Sequence, residues 1–89
     1  MSYKIQYTPA VIKQLSKLDK PIARRILDYM TARAKNPRKT GKALKGDMKG
    51  YWRHRVENYR VLSSIEDDVL LVLVVRVGHR KDVYNLKIR

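Results

Sequence analysis

The stretch YWRHRVENYRV, residues 51–61, decides the fold because it has the pattern of a β-hairpin. Its polar pair Glu57-Asn58 is short enough to form a two-residue loop between antiparallel strands. Such a loop places Arg55 directly opposite Arg60. Like charges in that position repel one another, so an anion held between the two guanidinium groups would account for the pairing. The hairpin therefore predicts both a sheet and an anion site on it.

Side chains alternate along a strand, so this hairpin has one basic and one apolar face. The same register also pairs Val56 with Tyr59, Arg53 with Leu62, and Tyr51 with Ser64. The basic face carries Tyr51, Arg53, Arg55 and Arg60. The apolar face, which we expect to meet helices, carries Trp52, His54, Val56, Tyr59 and Val61. This parity predicts that His54 and Trp52 are core residues rather than a catalytic group and a base-stacking platform.

The rest of the chain supplies helices and further strands. Residues 3–7 alternate as a strand does, and Thr8-Pro9 is a typical helix start. Two segments of helical apolar spacing follow, separated at residues 19–21, and so short a break should leave the helices antiparallel over one face of a sheet. Residues 69–77 are apolar on both faces and predict a central strand. The sequence thus predicts a single α+β domain spanning residues 1–89.

The chain carries 21 Lys and Arg against 8 Asp and Glu, a formal net charge of +13. An excess of this size in 89 residues favours a polyanionic partner, either nucleic acid or an acidic protein. The absence of cysteine excludes a disulfide framework, cysteine-ligated zinc and a cysteine nucleophile. Two histidines are too few for a purely histidine-based metal site, so we expect no metal and no cofactor.

The sequence also predicts a cytoplasmic protein without membrane contact. The longest aliphatic run, residues 69–75, has seven residues. A membrane-spanning helix needs roughly 20. The first five residues show no apolar core of a signal peptide.

The segment that follows the apolar strand could complete the anion site. Arg80 continues the parity of Arg76, and Tyr84 follows a few residues later. Several arginines around one phosphate can stabilise a pentacoordinate transition state, and RNA supplies its own 2′-hydroxyl nucleophile. Such a cluster suits RNA cleavage but lacks an evident general base, because the pKa of arginine exceeds about 12. His79 is a candidate acid or base.

A second basic region lies in the connection between the helices and the hairpin. Lysines scattered along a loop suit contact with an RNA backbone rather than chemistry. We therefore expect a ribosomal RNA footprint there, formed by Lys35, Arg38, Lys39, Lys42, Lys45 and Lys49.

Five segments together resemble the RelE branch of the RelE/ParE toxin superfamily. They are LSKLD (15–19), NPR (36–38), GYWRHRV (50–56), NYRV (58–61) and VRVGHRKDVY (75–84). The resemblance implies a strongly curved antiparallel sheet of about four strands packed against two N-terminal antiparallel helices. It also implies the toxin of a type II toxin–antitoxin system, which enters the ribosomal A site and cleaves mRNA by 2′-hydroxyl attack without a metal. The implied products are a cyclic phosphate and a 5′-hydroxyl.

The resemblance further assigns site residues and partners. Carried over by position, the catalytic residues are Arg53, Arg55, Arg60, Arg80 and Tyr84. The best-studied members of the family have lysines where this chain has Arg53 and Arg55. One of these arginines then acts as an electrostatic clamp, or His79 or Tyr84 takes part of the proton transfer. The implied partners are the ribosome, mRNA and an acidic RelB-like antitoxin that wraps the toxin in a hetero-oligomer.

Two other functions fit the sequence. A toxin of the ParE branch shares the fold but inhibits DNA gyrase, and it needs no RNA-cleaving cluster. A non-enzymatic, basic RNA- or ribosome-binding module would account for the charge alone. The arginines of residues 53–55, together with the HR and VY pairs near the C-terminus, favour the nuclease.

Overall fold

A computed structural model describes residues 2–79, which form an α+β fold as predicted. The elements in chain order are β1 (Lys4–Tyr7), α1 (Pro9–Ser16), α2 (Lys20–Ala32), β2 (Lys42–Ala43), β3 (Trp52–Val56), β4 (Tyr59–Glu66) and β5 (Leu71–His79). A single 3₁₀ turn, Gly46–Met48, lies between β2 and β3. No helix of the described range is long and apolar enough to cross a membrane.

The strands form one five-stranded sheet in the order β1-β5-β4-β3-β2. Strand β5 is interior, as its apolar character on both faces predicts. All neighbours are antiparallel except β1, which pairs with β5 in parallel. The sheet therefore has one strand more than the expected four, because the two-residue β2 is too short to leave an alternating pattern in the sequence.

The hairpin of β3 and β4 has the predicted register. Arg55 lies opposite Arg60, and Arg53 lies opposite Leu62. The loop is the two-residue turn at positions 57 and 58, where Glu57 has a φ of 55°. The expected pair of Tyr51 and Ser64 falls outside the ladder, because β3 begins one residue later.

A β-bulge between β4 and β5 keeps the apolar side chains on the helix side. Leu62 pairs with Arg76, but the next residue, Ser63, pairs with Val74. One extra residue, Val75, is therefore accommodated on β5. In a regular strand without this extra residue, Val74 and Val77 would point to opposite faces, and only one of them could reach the core.

The core lies between the two helices and one face of the sheet. Helix α1 begins at the predicted cap, where the Thr8 hydroxyl accepts a hydrogen bond from the Val11 backbone N–H at 3.2 Å. Both helices contribute apolar residues at helical spacing, and five valines of the sheet pack against them. The buried core residues are Val11, Leu15, Ile26, Met30, Val56, Val61, Val72, Val74 and Val77.

Helix α1 also completes the hydrogen bonding of β5. Strand β1 pairs with β5 only as far as Val74, whose carbonyl accepts from the Thr8 N–H at 3.1 Å. Beyond that point the Gln14 side-chain oxygen accepts from the Val77 N–H at 3.0 Å. A buried backbone donor left without a partner is costly, so this side chain substitutes for the missing strand.

Candidate functional site

Four arginines lie on the face of the sheet that points away from the helices. Arg60 is at their centre, since it lies directly opposite Arg55 on one side and Gly78 on the other. Arg53 and Arg76 are its diagonal neighbours on β3 and β5. Diagonal positions in a sheet are about 7–8 Å apart, within reach of long side chains. The structure thus brings three of the predicted site residues together, and we call this set, with Arg76, the arginine face.

Arg60 is the most buried member of the arginine face, with only 8% of its surface exposed. Its one hydrogen bond is a long one, 3.5 Å from Nη1 to the Tyr59 carbonyl. Within residues 2–79 its Nε has no hydrogen-bond partner, and it forms no ion pair. A buried cation is costly unless an anion compensates for it. Arg60 is therefore a buried cation whose charge no acidic group of residues 2–79 compensates.

Two uncharged residues, Gly78 and Leu62, lie next to Arg60 on the same face of the sheet. Gly78 lies opposite it on β5 and presents no side chain. A glycine inside a strand is typical of places where a ligand approaches the backbone closely. Leu62, fully buried, separates Arg53 from Arg76 across the sheet and fixes the spacing of the two outer arginines.

Strand β2 adds a fifth cation to this face. Lys42 pairs with Arg53, so a second like-charge pair lies beside that of Arg55 and Arg60. At this edge of the sheet is a cleft of about 290 Å³. Its lining residues are Tyr29, Thr40, Gly41, Lys42, Arg53 and Arg55.

His79 is not brought to the arginine face. It ends β5 opposite Tyr59, and the two rings meet edge to face with their centroids 5.8 Å apart. Tyr59 packs against the core, so His79 lies on the helix side of the sheet. The predicted residues Arg80 and Tyr84 lie outside the described residues.

His54 is a core residue, as its parity predicts. It is fully buried, its Nε2 lies 2.8 Å from the Pro37 carbonyl, and its ring meets the Tyr29 ring edge-on. Burial lowers the pKa of its imidazole, and the nearby Arg33 charge lowers it further, while the bond to Pro37 acts in the opposite direction. A neutral histidine at this position joins β3 to the connection of residues 36–50, which we call the basic loop.

Trp52 is only half-buried and packs on the loop rather than in the central core. Its indole N–H donates to the Thr40 carbonyl at 2.8 Å, and the Arg38 guanidinium lies 5.9 Å from the centre of its ring. Both contacts hold the loop against β3.

The predicted RNA footprint divides into two kinds of residue. Arg38 donates to both carboxylate oxygens of Asp67, at 2.7 and 3.1 Å, and so has a structural partner. The lysines of this set have exposed side chains that form no hydrogen bond to the described residues. They are Lys35, Lys39, Lys42, Lys45 and Lys49.

The comparisons with known proteins identify the family. The profile of the ParE toxin of type II toxin–antitoxin systems, parDE, matches residues 5–84. The chain belongs to this family. Toxin RelG of Mycobacterium tuberculosis is 29% identical over 85 residues, which cover 94% of this chain and 98% of RelG. A putative RelE-like toxin protein of Escherichia coli is 30% identical over 89 residues, which cover 97% and 94% of the two chains.

Solved structures agree with the fold of this ParE-family toxin. The toxin–antitoxin complex RelBE2 of Mycobacterium tuberculosis contains a chain with a TM-score of 0.84 and 27% identity, covering 90% of this chain and 100% of that one. A mutant of Escherichia coli toxin RelE in the free state has a TM-score of 0.80, with 96% and 93% coverage. At 21% identity, the second likeness shows the fold alone. Together these matches place the toxin in the RelE/ParE superfamily.

One residue of the arginine face in this ParE-family toxin was not among the predicted site residues. Arg76 is the single charged residue in the otherwise apolar run of β5. A charge in the middle of an interior strand costs free energy to bury. Its presence in an apolar run is therefore the sequence feature that indicates a role for Arg76. Its parity with Arg80 was noted in the sequence, but its proximity to Arg60 depends on the register of β4 and β5.

Proposed function

We propose that this protein is a ribosome-dependent endoribonuclease that cleaves mRNA in the ribosomal A site. The observation that supports this most directly is the state of Arg60. Its guanidinium is buried in the centre of the arginine face and has no anionic partner within residues 2–79. A scissile phosphate would supply the missing charge through two parallel hydrogen bonds.

In the proposed reaction, the arginine face holds the phosphate and stabilises the charge that develops on it. The 2′-oxygen of the preceding ribose attacks the phosphorus, and the bond from phosphorus to the 5′-oxygen of the next nucleotide breaks. One proton leaves the 2′-hydroxyl and one is delivered to the 5′-oxygen. The products are a 2′,3′-cyclic phosphate and a 5′-hydroxyl. Fixed guanidinium groups contribute most in the transition state, where the phosphate carries its greatest charge.

The proton carriers are the second part of the proposal. Arginine is a poor base because its pKa exceeds about 12. We assign the proton delivery to Tyr84 and further phosphate contact to Arg80, both on the family resemblance. His79 stays a weaker candidate, because its ring lies on the opposite side of the sheet from Arg60.

The exposed lysines would dock the protein on ribosomal RNA. They lie along the loop that precedes β3 and are separate from the arginine face, except for Lys42. Contacts of this kind give affinity that is sensitive to salt and insensitive to sequence. Such a role would be carried out in the cytoplasm, where translation takes place.

The proposed partner in the resting cell is an acidic antitoxin. Structures of relatives are described as toxin–antitoxin complexes, among them RelBE2 of Mycobacterium tuberculosis. With a formal charge of +13, this chain would favour an acidic partner that covers its basic surfaces. Competition between that partner and RNA would then control activity.

Gyrase inhibition is the second candidate function. The matching family profile carries the ParE name. Gyrase inhibition would, however, leave the arginine face without a role. A gyrase poison would induce DNA damage and leave mRNA intact. A non-enzymatic binding module would leave both nucleic acids intact.

Primer extension on an mRNA in a purified translation reaction separates the three functions. The proposal predicts new 5′ ends within codons only when both ribosomes and the toxin are present. The matched variants are Arg60→Ala, which should abolish cleavage, and Arg24→Ala, which removes an exposed arginine of α2 and should not. Intact mRNA at full ribosome occupancy would refute the proposal.

A further inference from the structure

We propose that a pocket at the end of the sheet where β3 begins binds one unpaired base of an RNA strand. The inference goes beyond the proposed cleavage and rests on it only in taking RNA as the source of the base. The pocket has a volume of about 220 Å³. Its lining residues are Arg38, Ala43, Gly50, Tyr51, Trp52 and Ile65.

The pocket is separate from the arginine face. Ile65 packs against the core, and Trp52 alternates with Arg53, so both side chains lie on the helix side of the sheet. Ile65 is also five residues from Arg60 along β4, a distance of about 17 Å in an extended strand. A base in this pocket therefore leaves the place of the scissile phosphate open.

The flat groups of the pocket are held in place by other parts of the chain. The Trp52 indole N–H donates to the Thr40 carbonyl at 2.8 Å, which restrains the ring. The Arg38 guanidinium, 5.9 Å from the centre of that ring, is held by two hydrogen bonds to the Asp67 carboxylate. Nucleobases stack on both aromatic rings and guanidinium planes. Groups that are already ordered lose little entropy when a ligand binds.

The charge around the pocket favours a nucleic acid as its occupant. Ala43 and Gly50 belong to the basic loop, in which the exposed Lys42, Lys45 and Lys49 are near them in the chain. None of the six lining residues is acidic. Proteins that bind single-stranded nucleic acid combine such a basic surface, which holds the backbone, with rings on which the bases stack. An unpaired base next to its own phosphates fits this combination.

The test uses two short single-stranded DNA ligands, which cannot be cleaved because they lack the 2′-hydroxyl. The first is an oligothymidylate, and the second is its abasic analogue with the same number of phosphates. Trp52 is the only tryptophan of the chain, so its fluorescence reports on the pocket. We expect the oligothymidylate to quench this fluorescence and to bind about tenfold more tightly than the abasic ligand. Both affinities should depend on salt to the same extent, because the number of phosphates is equal.

A matched pair of variants assigns the preference for bases to the pocket. Ala43 is exposed and lies directly opposite Trp52, so Ala43→Leu should fill the pocket. This variant should lose the tenfold preference and keep the affinity for the abasic ligand. The control Ala10→Leu, at an exposed position of α1, should keep the preference. Trp52→Phe retains a ring and should keep most of the preference, whereas Trp52→Leu should lose it, as measured by the anisotropy of a labelled oligothymidylate.

Equal affinity of the wild type for the two ligands would overturn the inference. So would Trp52 fluorescence that does not change on binding, or an equal loss of preference in Ala43→Leu and Ala10→Leu. In these cases the pocket would instead suit an apolar side chain of a protein partner. The proposed function is read separately, from mRNA cleavage in the translation reaction. Absence of cleavage with the preference for bases intact would reject the nuclease and retain the base pocket.

Discussion

Asp67 binds Arg38 through two hydrogen bonds of 2.7 and 3.1 Å, and so ties the β4–β5 turn to the basic loop. The same carboxylate accepts a hydrogen bond from the Tyr3 hydroxyl at 2.6 Å. The Arg38 guanidinium also lies 5.9 Å from the centre of the Trp52 ring. One exposed carboxylate thus joins the N-terminal strand, a turn and the loop that carries Lys42.

We predict that Asp67→Asn loosens the loop without unfolding the protein. The Arg38 guanidinium, followed by the Tyr3 hydroxyl, holds the pKa of the Asp67 carboxyl below its ordinary value of 3.8. A lowered carboxyl pKa stabilises the fold above pH 3.8 and ceases to do so as the pH falls through the lower, folded-state value. The variant should therefore melt at a slightly lower temperature than the wild type at pH 7, and the difference should shrink as the pH is lowered below 3.8. A difference in melting temperature that does not shrink below pH 3.8 would contradict this account.

Replacing Arg60 should separate activity from stability. The variant Arg60→Ala is expected to lose about 10²–10³-fold or more in the rate of mRNA cleavage, as when one donor to a transition-state oxyanion is removed. Its melting temperature should stay the same or rise, because a buried cation near three other arginines is removed. Arg60→Lys should recover only part of the rate, since lysine lacks the planar fork. Circular dichroism and single-turnover cleavage measure the two effects, and full toxicity of Arg60→Ala would show that the site is wrongly assigned.

The buried histidine predicts a pH dependence of stability. Burial lowers the pKa of His54 in the folded state below 6.5, so protons bind preferentially to the unfolded chain. The free energy of unfolding should therefore fall as the pH decreases below about 6.5. His54→Gln should cost about 1–3 kcal/mol at pH 7 through lost packing and hydrogen bonding, and should flatten the profile between pH 7 and 5.

Urea denaturation at several pH values measures this profile. The control variant is His79→Gln, which changes the exposed histidine and should leave the contribution of His54 in place. A profile that stays steep in His54→Gln would assign the pH dependence to other groups.

Two glycines with positive φ offer a matched comparison. Gly41→Ala should destabilise the protein by about 2–3 kcal/mol, because the added methyl group meets β3 in addition to the strained backbone. Gly46→Ala, with a φ of +65° and no atom near the added methyl, should cost only about 1 kcal/mol. Urea denaturation of both variants measures the difference. Equal costs would show that β2 can move away from β3.

The sequence predicted the parts of the fold that depend on local patterns. Alternation and a two-residue loop were sufficient for the register of Arg55 and Arg60, and Thr8 was recognisable as a helix cap. The parallel pairing of β1 with β5 left no such signal, because alternation gives the faces of a strand but not its neighbour.

The candidate site was predictable only where strand parity determines it. The hairpin alone predicts that Arg53, Arg55 and Arg60 share one face of the sheet. The position of Arg76 on that face depends on the bulged register of β4 and β5, which the sequence does not reveal. Arg38 was grouped with the lysines because its partner Asp67 is 29 residues away in the chain. His79 was a candidate by chemistry, but its pairing with Tyr59 turns it to the other side of the sheet.

The parallel pairing of β1 with β5 has a consequence for synthesis of the toxin. Strand β1 leaves the ribosome well before its partner strand, because Lys4 pairs with Leu71, which is far downstream in the chain. Until β5 has been synthesised, its valines are missing from the core. Arg76 and Gly78 are likewise missing from the face of the sheet that carries Arg60. A chain still being translated therefore cannot assemble the site. Under the proposed function, the toxin would therefore stay inactive towards the ribosome that makes it until β5 has been synthesised and has joined the sheet.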